Sequence, residues 1–217
     1  MGRFPNQEQI GGDSKIPTVI FYDQEGQIRA RGAETLMDSV RDTAEQEQWC
    51  EAKWCAPSTT TVFCVLIHSL RRFKLHFRPN NIGSSLDEID IPPLPPGKTA
   101  VQVLSDFLRY LVECAQEYVT QSLPGGQALW DSLKDTMTYV LTHPNGWLGR
   151  QQTLIREAAV IAGLVSDSFE DFTRIEFVTE GEGANHLILQ CTCLICHFLQ
   201  LRCITASITD CQSIFRR

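Results

Sequence analysis

The sequence predicts an α/β fold with parallel strands, and three features point to it. From Met137 to Glu182 the chain reads strand (137–142), turn (His143-Pro-Asn-Gly-Trp147), amphipathic helix, second strand (Arg174–Thr179) and acidic turn (Glu180-Gly-Glu182). That order places functional groups at the carboxyl ends of parallel strands. A β-hairpin precedes this unit, and a long helix with an apolar stripe lies between the two.

The hairpin is read from Lys15-Ile-Pro-Thr-Val-Ile-Phe-Tyr22, the turn Asp23-Gln-Glu-Gly26 and the alternating run Gln27–Arg31. Ala33 to Gln48 is helix-prone and highly charged, so a solvated helix is expected there. Pro95-Pro-Gly-Lys-Thr99 opens the next helix, in which Val101, Leu104, Leu108, Leu111, Ala115 and Val119 recur at three- and four-residue steps. That stripe should lie against a sheet. Ser122-Leu-Pro-Gly-Gly126 ends the helix, and 128–136 forms a short one before the strand at Met137. The helix from Gly149 to Gly163 is expected to bury Leu154, Ile155, Ala158, Ile161 and Ala162, with Gly163 as its C-terminal cap.

Composition narrows the function classes. The 217 residues are 43% hydrophobic and 21% charged, ordinary for a folded globular chain. A formal charge of -7 and a pI near 5.2 argue against nucleic-acid binding, which needs a basic face. The first ten residues hold no apolar run of the secretory kind, and Asn6 stands where a myristoylation signal needs Ser or Thr. The most apolar window, Leu187–Leu201, is broken by Gln190, His197 and Gln200 and is shorter than the roughly 20 residues of a membrane span. A cytoplasmic protein with reduced thiols is the expectation. Of the 9 cysteines, Cys191, Cys193, Cys196, Cys203 and Cys211 crowd the final segment, and the odd total speaks against a disulfide framework.

Five segments carry a family resemblance: Gln7–Asp23, Phe73-Lys-Leu-His-Phe-Arg-Pro79, Leu94-Pro-Pro-Gly-Lys-Thr-Ala100 with Phe107–Leu111, Leu141–Trp147, and Phe177-Val-Thr-Glu-Gly-Glu182. In this order they resemble the fungal branch of the divergent seventy-kilodalton heat-shock proteins, which are DnaK-like, actin-like ATPases. The resemblance covers most of residues 5 to 186. It implies an actin-like ATPase (ribonuclease H-like) lobe, incomplete here, with the β-hairpin as its amino-terminal part. Residues 1–54 would form the hairpin and charged helix, 55–71 an insertion, 72–190 the remainder of the lobe, and 191–217 a cysteine-rich tail outside the fold. Translated intron would account for both 55–71 and 191–217.

Relatives hold ATP and magnesium with two glycine-rich hairpins, one near the amino terminus and one after the Val-Thr-Glu-Gly-Glu turn. Neither hairpin occurs in the sequence. Only glycine lets backbone N–H groups wrap phosphate so closely, so the expectation is that this chain alone neither binds ATP nor hydrolyses it. The resemblance aligns Glu180 with a carboxylate that helps position magnesium and the attacking water, with Glu182 beside it, and aligns Lys74, on the comparable strand after the hairpin, with a lysine that reaches the γ-phosphate. Without the phosphate loops, the alternatives are a solvated or capping carboxylate and a surface lysine. Unfolded or client proteins are the implied partners.

Other motifs have weaker chemistry. His143 at a strand end could transfer protons, but the Pro-Asn-Gly-Trp turn after it is expected to be structural, with Pro144 and Gly146 making the bend and Trp147 packing at the helix start. Gly97-Lys-Thr99 matches the end of a P-loop, yet the earlier glycine is missing and four prolines fill the loop. Cys191, Cys193, Cys196 and His197 could ligate zinc, although Cys203 and Cys211 do not form a second ligand pair. The competing function class is a non-enzymatic protein-interaction module.

Overall fold

The computed structural model describes residues 16–53, 73–77, 93–147 and 149–179. The amino-terminal part is a three-stranded antiparallel sheet. Strand β1 (Val19–Tyr22) and β2 (Ile28–Arg31) form the expected hairpin, and β3 (Cys50–Lys53) pairs with the other side of β1, giving the order β2-β1-β3. Because β1 is central, all four of its residues are buried, which explains the unbroken apolar run Val-Ile-Phe-Tyr. Its side chains alternate between two apolar clusters. Ile20 and Tyr22 join the main core, while Phe21 packs with Ala30 and Ala44 on the opposite face, its ring 6.4 Å from that of Trp49.

The hairpin turn is clasped by Asp23. Its Oδ1 accepts from the backbone N–H groups of Gln27 at 2.7 Å and Glu25 at 3.0 Å, and its Oδ2 accepts from Arg29 Nε at 2.8 Å. The Gln27 amide and then the Arg29 guanidinium hold this carboxyl below the usual carboxylate range, against the opposing effect of burial. A short acidic side chain that bonds the backbone two and four residues on is what makes Asp a turn residue here.

The charged helix expected over 33–48 is two pieces: a 3-10 turn, Gly32–Leu36, and α1 (Asp38–Gln46), separated by Met37 in an extended conformation. Thr35 turns its hydroxyl back to the carbonyl of Gly32 at 2.7 Å, a local bond that competes with helix continuation. Gly32 has φ +61°, and a Cβ there would land on the Tyr110 hydroxyl, so only glycine fits this approach.

Helix α2 (Ala100–Ser122) is central to the described fold. Thr99 and Gln102 form a reciprocal capping box, Thr99 Oγ1 accepting from the Gln102 N–H at 3.2 Å and Gln102 Oε1 from the Thr99 N–H at 2.8 Å. Leu104, Leu108, Leu111, Ala115 and Val119 are buried as their spacing predicts, and Val101 is half-buried. The burial is broader than one stripe, since every residue from Val103 to Leu108 is buried. One continuous core joins these side chains to Ile20, Tyr22 and Ala52 of the first sheet and to Tyr139, Leu141 and Ile175 of a second. That core, about two dozen apolar side chains contributed from both halves of the sequence, is the main source of stability.

The second sheet is built by the carboxyl half. After α3 (Gly126–Leu133) come β4 (Tyr139–His143), α4 (Arg150–Ile161), a single helical turn α5 (Phe169–Phe172) and β5 (Ile175–Thr179). Strands β4 and β5 are parallel, in register from Tyr139 opposite Ile175 to His143 opposite Thr179. The expected parallel pair with its helical connection is therefore present, and the fold is mixed α/β with two small sheets. Helix α4 closes as predicted at Gly163, φ +80°, where the Leu164 N–H reaches the Ala159 carbonyl at 3.0 Å and the Gly163 N–H reaches that of Val160 at 2.9 Å.

Two expectations need correction. Ile161 was assigned to the buried side of α4 and is 44% exposed; Ile155, Ala158, Ala159 and Ala162 make the buried face, and Ile161 falls about 100° around the helix from its centre. Lys74, expected on a strand, lies in a 3-10 turn, Phe73–Phe77. The expected insertion 55–71 and tail 191–217, with its possible zinc ligands Cys191, Cys193, Cys196 and His197, lie outside the described residues. Among the described residues no helix is long and apolar enough to cross a membrane.

Candidate functional site

The carboxyl edge of the parallel pair is where an α/β unit presents chemistry, because strand ends and helix starts converge there. Strand β4 delivers His143 to that edge, and β5 delivers Thr179 opposite it. Residues 144–147 then turn the chain toward α4. Trp147 is buried and its ring stacks on Phe77 with centroids 6.0 Å apart, so the strand-end turn is fastened to the 3-10 turn that carries Lys74. The structural role expected for Trp147 is thus visible in its packing.

His143 is 2% exposed and both of its ring nitrogens are engaged. Nδ1 lies 2.9 Å from the carbonyl oxygen of Pro144, which can only accept, so the Nδ1 proton is donated there. In the neutral ring that leaves Nε2 as an acceptor, and the Gln152 side-chain amide stands 3.1 Å from it on the first turns of α4. One face of the ring meets Phe177 of β5 at a centroid distance of 6.1 Å. Such a histidine ties strand, turn and helix together. Proton transfer through Nε2 would require Gln152 to move away.

Of the two residues expected to carry catalysis, Lys74 is half-buried between the buried Phe73 and Phe77. Glu180 and Glu182 lie outside the described residues; Glu180 directly follows the last residue of β5 in the chain. Among the described residues no group of three or more His, Cys, Asp or Glu side chains is arranged to hold a metal ion.

A second polar constellation, not anticipated from the sequence, sits inside the core. Asp106 of α2 is 8% exposed, accepts from the Tyr22 hydroxyl at 3.0 Å and from Lys98 Nζ at 2.8 Å, and lies 3.7 Å from Arg109. Lys98 also stands over the Tyr22 ring, 5.3 Å from its centroid. Burial first, and then the negative Asp106, push the Tyr22 phenol far above its ordinary range, so it stays protonated and donates. Lys98 belongs to the Gly-Lys-Thr segment, and its ammonium is committed to this internal carboxylate, which is a further reason that segment is no phosphate loop. The available signal was a lone acid between Leu104 and Leu108 on an otherwise apolar helix face. A buried carboxylate with two hydrogen-bond donors is a fastening between the first sheet and α2.

Comparison with known proteins gives no relative: no family model matches the chain, and no match was found among curated proteins or among solved structures.

Proposed function

We propose that this chain is a lobe of an ATP-binding, actin-like chaperone ATPase domain of the heat-shock-seventy type, and that by itself it binds nucleotide weakly or not at all. The observation that carries the reading is the parallel β4–β5 pair joined through α4, with Glu180 next in the chain after the end of β5. An acid at that position suits the role of orienting magnesium and a water on ATP, with Lys74 as the candidate contact to the γ-phosphate. The five resembling segments and their order support the same assignment. Weak affinity follows from the sequence, which has neither of the glycine-rich hairpins with which members of that family hold the phosphates. In the complete domain, ATP binding would close two lobes and govern the holding of unfolded client proteins.

Calorimetric titration of the chain with ATP and magnesium tests this reading. No saturable heat is expected at submillimolar ATP. Micromolar, magnesium-dependent binding would overturn it. A second reading is a non-enzymatic protein-interaction module, for which Phe169 of α5, 86% exposed, would be a contact residue.

A further inference from the structure

Most arginine side chains among the described residues are paired. Arg174 shows the usual pattern: Nε donates to the Met137 carbonyl at 3.1 Å, one terminal nitrogen to Asp171 at 3.2 Å and the other to the Lys134 carbonyl at 3.0 Å. Arg29 and Arg31 are paired with Asp23 and Glu113. Arg156 is the half-buried exception; Arg150, which also has no partner among the described residues, is exposed. Its guanidinium lies over the rings of Phe177, 4.9 Å from the centroid, and Phe172, at 5.7 Å, while its Nε is shut off from solvent with no acceptor. Among the described residues it makes no hydrogen bond and no ion pair. The acids next to it in these elements do not serve it: the Asp171 carboxylate is held by Arg174 and the Ser166 N–H, and Glu157 is exposed.

A guanidinium fixed against two aromatic rings keeps its charge and its fork of five N–H donors while losing water around one edge. A planar cation with unused donors pairs best with an oxyanion that can take two parallel N–H bonds. Position agrees with this, because Gln152 lies one helical turn before Arg156 on the same side of α4, and Phe177 touches both His143 and Arg156. We infer that Arg156, framed by Phe172 and Phe177, is an oxyanion-binding site, taking a carboxylate or phosphoryl group as a bidentate ligand on its two terminal nitrogens, since Nε is closed to solvent. It stands apart from the ATPase reading, since it uses neither Glu180 nor Lys74.

The test follows the Arg156 Nε–Hε signal by 15N NMR in the whole chain, titrated with inorganic phosphate and separately with acetate at constant ionic strength, with chloride as the control. A saturable shift of that signal with either oxyanion, absent with chloride, is the expected result. A stronger response to phosphate identifies phosphoryl groups as the natural ligand, and a stronger response to acetate identifies carboxylates. Arg156→Gln should weaken binding, read on the neighbouring backbone amides of Phe172 and Phe177, by about tenfold or more, and Arg156→Lys, which keeps the charge and loses the fork, by about threefold. No shift in the wild-type chain at tens of millimolar oxyanion, or an equal shift with chloride, overturns the inference, and neither outcome depends on how the variants fold.

Discussion

Replacing Asp106 with alanine should be among the most damaging single changes in the molecule that leave the apolar core intact. The carboxylate is 8% exposed and the Tyr22 side chain it receives is 0% exposed, so the truncation strands a buried hydroxyl with no water to replace its acceptor. A stranded buried donor costs about 1–3 kcal/mol. Lys98 loses its ion pair at a site where its side chain is only 22% exposed, which adds about 1–2 kcal/mol. Arg109, at 3.7 Å and 45% exposed, adds little. The expected total is about 3 kcal/mol, a shift of about 1.5 M in the urea midpoint for a slope of about 2 kcal/mol per molar. Tyr22→Phe should cost about 1 kcal/mol, because Asp106 keeps Lys98. In the double variant the two losses should fall short of additivity by about 1 kcal/mol, the signature of a shared bond. Urea unfolding followed by far-ultraviolet circular dichroism gives all four stabilities. An Asp106→Ala loss below about 0.5 kcal/mol, the level of a surface substitution, or strict additivity, would refute the fastening argument.

Three further outcomes follow from local structure. Gln48 has φ +55° at the end of α1, where the Trp49 N–H bonds the Ala44 carbonyl at 2.8 Å in the arrangement that glycine usually completes, so Gln48→Gly should raise stability by about 0.5–1 kcal/mol in the same urea assay. Cys114 is 3% exposed and burial pushes its thiol up to about 11 from an ordinary 9.0, with the Tyr110 hydroxyl and Arg31 pulling the other way. A raised folded value means this thiol's contribution to stability is complete below pH 9.0 and drains away as the pH climbs toward about 11; Cys114→Ala should flatten that part of the stability profile. At pH 8, site-resolved alkylation read by mass spectrometry should modify half-buried Cys50 well before Cys114.

Much of this architecture was legible because its signals are local. The hairpin announced itself through Asp23 and Gly26 between two β-rich runs, α2 through its Thr99 cap and four-residue apolar steps, and the parallel pair through two strands on either side of a capped helix. What was missed depends on partners distant in sequence. Strand β3, Cys-Glu-Ala-Lys, has no apolar alternation and exists because β1 offers it a free edge. The close approach of Gly32 to Tyr110, a residue of α2, is likewise set by a partner far along the chain. An apolar count puts Ile161 inside, but the buried face of α4 is made by Ile155 with the small residues Ala158, Ala159 and Ala162. At the site, the turn after His143 could be read as structural, but the engagement of both ring nitrogens, the Asp106 fastening and the acceptor-free Arg156 are properties of three dimensions.

The parallel alignment of β4 with β5 underlies both the fold and the proposed nucleotide edge, and backbone NOE contacts test it most directly. The structure requires cross-strand contacts that advance together, Leu141 with Phe177 and His143 with Thr179. Contacts in the reverse sense, with His143 near Ile175 and Tyr139 near Thr179, would contradict it and remove the edge on which the function was built.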